Sequence, residues 1–159
     1  MKSIYLAAVA ALIPVAAAAH DGVDVQDAYA RSANPVTGAA FMVLSNHADR
    51  DCRLSGVSSD VAERVELHTH REVDGVMKMT EVEEGFQIPA YGTHELARGG
   101  DHVMFLGLKS PLEDGQTIPL TLDFGDCGTE QVDVPVDNHR KPAHGKAMHK
   151  MGDMEKADH

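Results

Sequence analysis

Four residues able to hold a soft metal ion, His68, Met79, His102 and Met104, recur within the stretch 65–108 in the pattern H-x10-M-x22-H-x-M. Its sequence is VELHTHREVDGVMKMTEVEEGFQIPAYGTHELARGGDHVMFLGL. Thioether sulfur is a soft, uncharged ligand that hard cations ignore, whereas monovalent copper accepts it, with imidazole completing the shell. The set therefore points to Cu(I). Taken singly, each residue has a plainer role, since a lone Met on a strand ordinarily fills a core. The joint pattern carries the reading.

Strands must bring these groups together. Side chains at i and i+2 share a face of a strand, so His102 and Met104 point the same way, as do His68 with His70 and Met77 with Met79. Two hairpin registers fit REVDGV. If the loop spans 72–75, His68 faces Met79 and His70 faces Met77; if only Asp74 and Gly75 make the turn, His70 stands opposite Met79 instead. The residues alone leave both open. Met77 is expected as core filler or as a support to the site. His70 and His47 are expected to be exposed and unliganded, and His94 a bystander or a neighbour of the site.

Along the chain, VDVQDAYAR, GAAFMVLSN, CRLSGVSS, ERVELHTH, VMKMTEV, HVMFLGLK, TIPLTLDFG and TEQVDVPV read as strands. They recur at about ten-residue spacing and are punctuated by Gly, Pro, Asn and Asp. SDVA is expected to make one helical turn. About eight strands of this kind predict an all-β fold, a Greek-key β-sandwich or barrel spanning 20–136. With no Trp and four Phe, the core must rest mainly on aliphatic residues. Phe41, Leu44, Leu106 and Leu120 are expected members. A core of this size needs no metal to fold, so copper could be loaded and unloaded without unfolding.

The first 19 residues read as a secretory signal peptide: Lys2, an apolar run, and an A-x-A ending at Ala17–Ala19. The run is too short for a membrane span and contains Pro14. Once it is removed, 13 Lys and Arg face 25 Asp and Glu, a formal charge of −12. That balance disfavours nucleic acid and peripheral membrane binding. Cys52 and Cys127, an even pair in an oxidising compartment, are expected to form a disulfide. The polar stretch 137–159 is expected to be a flexible tail. Its His139, His144, Met148, His149, Met151, Met154 and His159 make an auxiliary copper site the natural reading, with Cu(II) suited to the nitrogen donors.

The motifs ELHTH, GVMKM, IPAYGTHEL and GGDHVMFLGL closely resemble the periplasmic copper chaperone family PCu(A)C, and a looser resemblance extends from about Val23 to Val136. The resemblance implies a cupredoxin-like fold. It also implies one Cu(I) on His68, Met79, His102 and Met104, passed to the copper subunits of cytochrome c oxidase or to another copper-transfer protein by a periplasmic, monomeric carrier that is not an enzyme. It selects His68 over His70. This chain departs from the family in one place: the gap between the Met and the second His is one residue longer, in EVEEGFQIPA.

The residues bear on three other readings. An electron-transfer cupredoxin needs a Cys thiolate beside a His on one loop, and DFGDCGTEQ offers no imidazole. A Cu/Zn superoxide dismutase-like enzyme needs more core imidazoles than His47, His68, His70, His94 and His102 provide. A metal-free β-sandwich binding module would gain no stability from copper. Gly-x-Ser-x-Gly and P-loop patterns are missing, which leaves hydrolase and nucleotide chemistry without support.

Overall fold

A computed structural model describes residues 22–142. The signal-peptide stretch, and His144, Met148, His149, Met151, Met154 and His159 of the tail, lie outside the described residues. The described residues form eleven strands: β1 Val23–Asn34, β2 Thr37–Asn46, β3 Cys52–Leu54, β4 Gly56–Ser58, β5 Ala62–Val73, β6 Val76–Glu81, β7 Phe86–Ile88, β8 Thr93–Leu96, β9 His102–Leu108, β10 Thr117–Asp123 and β11 Thr129–Pro135. A 3-10 turn, Gly125–Cys127, separates the last two.

The largest sheet runs β1-β2-β9-β5-β6, with β8 pairing the far half of β2. A second sheet, β11-β10-β4, and a short pair, β3-β7, complete the fold. All sheets are open, so the architecture is a sandwich rather than a closed barrel. Alternation explains the layering. On β9, Val103 and Phe105 are buried in the core, and Leu67 on β5 and Ala40, Met42 and Leu44 on β2 join them in one cluster with Ile118, Leu120 and Leu122 of β10.

Several expectations are corrected. The run CRLSGVSS breaks into β3 and β4, which pair with different partners, β7 and β10. Strands β7 and β8 carry too few alternating residues to stand out in the sequence. SDVA forms a turn leading directly into β5, without a helix. Leu106 is only half-buried because its parity puts it on the same face as His102 and Met104, away from Phe105. Met77 is no core filler, since it is 59% exposed on β6.

Cys52 and Cys127 are joined in a disulfide that ties β3 to the 3-10 turn. Asn46, buried at the end of β2, donates through Nδ2 to the carbonyls of Arg50, Ile88 and Pro89, and so holds the loop after β2 against that following β7.

Candidate metal centre

Directly opposed residues of an antiparallel pair share a face, and this rule assembles the site. On β9 and β5, His102 stands opposite His68, and Met104 opposite Glu66. On β5 and β6, His70 stands opposite Met79, and His68 opposite Glu81. Met104 also faces Ala39 of β2. All of these side chains therefore occupy one face of the large sheet, the face turned away from Val103, Phe105 and Leu67. Tyr29 and Phe41 cover part of it, with ring centroids 5.2 Å apart.

The hairpin register follows from its turn. Asp74 and Gly75 both take positive φ, 52° and 77°, the conformation of a two-residue type I′ turn, for which Asp-Gly is a preferred pair. The strands therefore close at Val73 and Val76, and the wider loop over 72–75 does not form. As a result His70, rather than His68, is the direct cross-strand neighbour of Met79.

Between Met79 and His102 the chain forms β7 and β8 before returning on β9. After Glu81 the chain turns, with the Gly85 N–H donating to the Val82 carbonyl at 3.0 Å. The β5–β6 and β5–β9 ladders keep constant register throughout.

A cavity of about 330 Å³ opens on this face, lined by His70, Met79, His102 and Met104 and by Arg31, Phe41 and Arg98. Met79 is 46% exposed at its edge, whereas His102 is 3% exposed. Ring centroids lie 5.4 Å apart for His70 and His102, and 5.9 Å for His68 and His102. His68 stands outside the cavity lining.

Hydrogen bonds decide which ring nitrogens keep a free lone pair. A carbonyl only accepts, so His102 Nδ1 donates to the Gly100 oxygen at 2.9 Å and His70 Nδ1 donates to the same oxygen at 3.2 Å. Nε2 is then the basic nitrogen of both rings. His68 is reversed. Its Nε2 contacts Glu66 Oε2 at 2.8 Å, and its buried Nδ1 has no hydrogen-bond partner among the described residues. Burial pushes the His102 imidazole below the usual histidine range, with His70 and His68 acting in the same sense and the Gly100 carbonyl and Asp101 opposing. A ring kept neutral in this way is ready to ligate.

The Gly100 carbonyl is itself fixed. Asp101 accepts from Thr69 Oγ1 at 2.6 Å and contacts His94 Nε2 at 2.9 Å. His94 lies opposite Leu44 on the core side, stacked on Phe86 at 5.2 Å, so it steadies the loop instead of entering the cavity. His47 is exposed and paired with Asp24. His139, the one tail histidine among the described residues, is exposed and contacts Asp114 at 3.1 Å.

Sequence reasoning missed Glu66, Gly100, Asp101 and the half-buried position of His70. A signal for His70 was present, because its parity matches that of His68 and Asp-Gly favours the tighter turn. No group of three or more His, Cys, Asp or Glu is arranged for a metal among the described residues. The cavity lining pairs two imidazoles, His70 and His102, with two thioethers, Met79 and Met104, and thioethers suit soft ions.

The profile of the family described as "Putative lipoprotein LpqE-like" matches residues 23–136. The chain is 41% identical over 116 residues to "Putative lipoprotein Lxx21020" of Leifsonia xyli subsp. xyli, covering 73% of this chain and 70% of that protein. Among solved structures, apo-DR1885 of Deinococcus radiodurans is 34% identical with a TM-score of 0.56, covering 87% of this chain and 94% of that one. DR1885 has also been solved in its Cu(I) form. The copper-bound PCuAC domain of PmoF2 shares the fold at a TM-score of 0.60 and 22% identity, covering 74% of this chain and 93% of that domain. The chain thus belongs to the LpqE-like family and has the cupredoxin-like β fold of PCuAC domains.

Proposed function

We propose that this chain is an exported copper chaperone that carries one Cu(I) on the outer face of its large sheet. It delivers the ion to the copper centres of cytochrome c oxidase or to another copper-transfer protein. The observation that carries this reading is the convergence of Met79, Met104 and His102 on one cavity, with a second imidazole supplied by the His68-Thr69-His70 segment. Likeness to DR1885, a protein solved with Cu(I), supports it. Likeness to a lipoprotein of Leifsonia xyli supports export, with the periplasm as the proposed compartment.

The family spacing assigns the second imidazole to His68. Its buried Nδ1 has no partner among the described residues, which is costly unless something satisfies it, and Glu66 on the other nitrogen resembles the carboxylate that orients a metal-bound histidine. Two thioethers and two neutral imidazoles add no charge to the ion. With the fixed cations Arg31 and Arg98 in the same lining, such a set favours the monovalent over the divalent state.

Copper is cargo in this account, and the protein is a carrier rather than a catalyst. Thioethers bind Cu(I) yet yield when a thiolate or imidazole of an acceptor approaches. The His- and Met-bearing stretch beginning at His139 is proposed as an auxiliary collector of copper, including Cu(II). The test is transfer. Full-length protein loaded with one Cu(I) is mixed anaerobically with the copper-free soluble domain of an oxidase copper subunit, the two are separated, and copper is assayed. Movement of copper to the acceptor supports the reading, and retention by the donor at equal concentrations contradicts delivery to that acceptor.

A further inference from the structure

We propose that His70 is an imidazole donor of the centre in alternation with His68, binding copper through Nε2 together with Met79 at the mouth of the cavity, and that copper is exchanged with other proteins from this position. The inference rests on the copper reading above and deepens it. Four observations point the same way. His70 is the direct cross-strand partner of Met79, and both line the cavity, which His68 does not. Its Nδ1 is committed to the Gly100 carbonyl, the same oxygen that orients His102. The two rings therefore share one tautomer and one anchor, with Nε2 basic in each. Their centroids are closer to each other than those of His68 and His102.

Exposure supplies the direction of travel. Met79 is the most open of the cavity's sulfur and imidazole donors, so an incoming ion or an acceptor's ligand meets Met79 first, with His70 beside it. His102 and the buried nitrogen of His68 lie deeper. With His70 and His68 as alternative donors on one strand face, one imidazole binds as the other leaves. A ligand-exchange reaction then proceeds without passing through an under-coordinated ion.

The test uses the full chain. Long-range nitrogen NMR of apo and Cu(I)-loaded wild type resolves the Nε2 and Nδ1 atoms of His68, His70 and His102. The proposal expects His70 Nε2 to shift with the first equivalent of Cu(I). In parallel, anaerobic stopped-flow follows Cu(I) leaving to a chelator, where His70→Gln is expected to slow exchange by about tenfold or more. An unmoved His70 Nε2 alongside a shifted His68 overturns the ligation while leaving the chaperone reading intact. A wild-type exchange rate in H70Q overturns the exchange role. Failure of the wild type to take up any Cu(I) sinks both this inference and the function on which it rests.

Discussion

His70 and Met79 face each other directly across the β5–β6 hairpin, held in that register by the two-residue Asp74-Gly75 turn. Met79 is half exposed and contributes little to the core. Replacing it with Leu conserves volume and removes only the sulfur. The expected outcome for Met79→Leu is a change in stability within about 0.5 kcal/mol, as for ordinary surface changes, together with a Cu(I) affinity lower by about tenfold or more. Urea melts and anaerobic competition with a chromophoric chelator check the two halves separately.

Arg31 lines the cavity with its Nε buried and unpartnered among the described residues. A fixed positive charge near the metal destabilises the divalent state more than the monovalent one. Arg31→Gln is therefore expected to lower the Cu(II)/Cu(I) midpoint potential, as measured by voltammetry of the loaded protein. An unchanged or raised potential would show that the guanidinium does not act on the ion.

Acid should weaken the apo fold through His102. Burial is the main cause of its lowered pKa, so the folded value lies below the unfolded one near 6.5. As pH falls through about 6.5, the unfolded chain takes up this proton first, and His102 subtracts stability increasingly until the folded ring also titrates. Above that range it adds no pH dependence. Wild type is expected to lose more stability than His102→Gln between pH 7 and pH 5.5, in urea melts of copper-free protein. Equal slopes would refute the attribution.

The Cys52–Cys127 bond spans 75 residues of sequence, and neither Cys lines the donor cavity. Replacing both with Ser is expected to cost about 2 to 5 kcal/mol without removing Cu(I) binding by the protein that remains folded. Differential scanning calorimetry and copper titration test the pair of outcomes.

Much of this was legible in the residues. Alternating runs and Gly- and Asp-rich turns gave the β fold, because period-two patterning is imposed by burial of one strand face. Parity alone put His102 with Met104, and His68 with His70. Register was less legible. Whether His68 or His70 opposes Met79 depends on two backbone φ angles at Asp74 and Gly75, and a one-step change in loop length moves every pair. The short strands β7 and β8 were lost because three or four residues cannot establish a period. Leu106 was misplaced in the core because a hydrophobic residue can lie on either face of a strand whose two faces are both covered. Glu66, Gly100 and Asp101 act through single hydrogen bonds between distant segments, which spacing does not encode.

Mixed sulfur and nitrogen ligation of Cu(I) is read by X-ray absorption at the copper edge, on full-length protein carrying one equivalent of Cu(I) prepared without oxygen. It is compared with the double variant Met79→Leu, Met104→Leu treated identically. The expected wild-type shell contains both thioether sulfur and imidazole nitrogen, with the sulfur scattering lost or sharply reduced in the variant. A shell of nitrogen and oxygen alone in the wild type, or sulfur scattering unchanged in the variant, would contradict it.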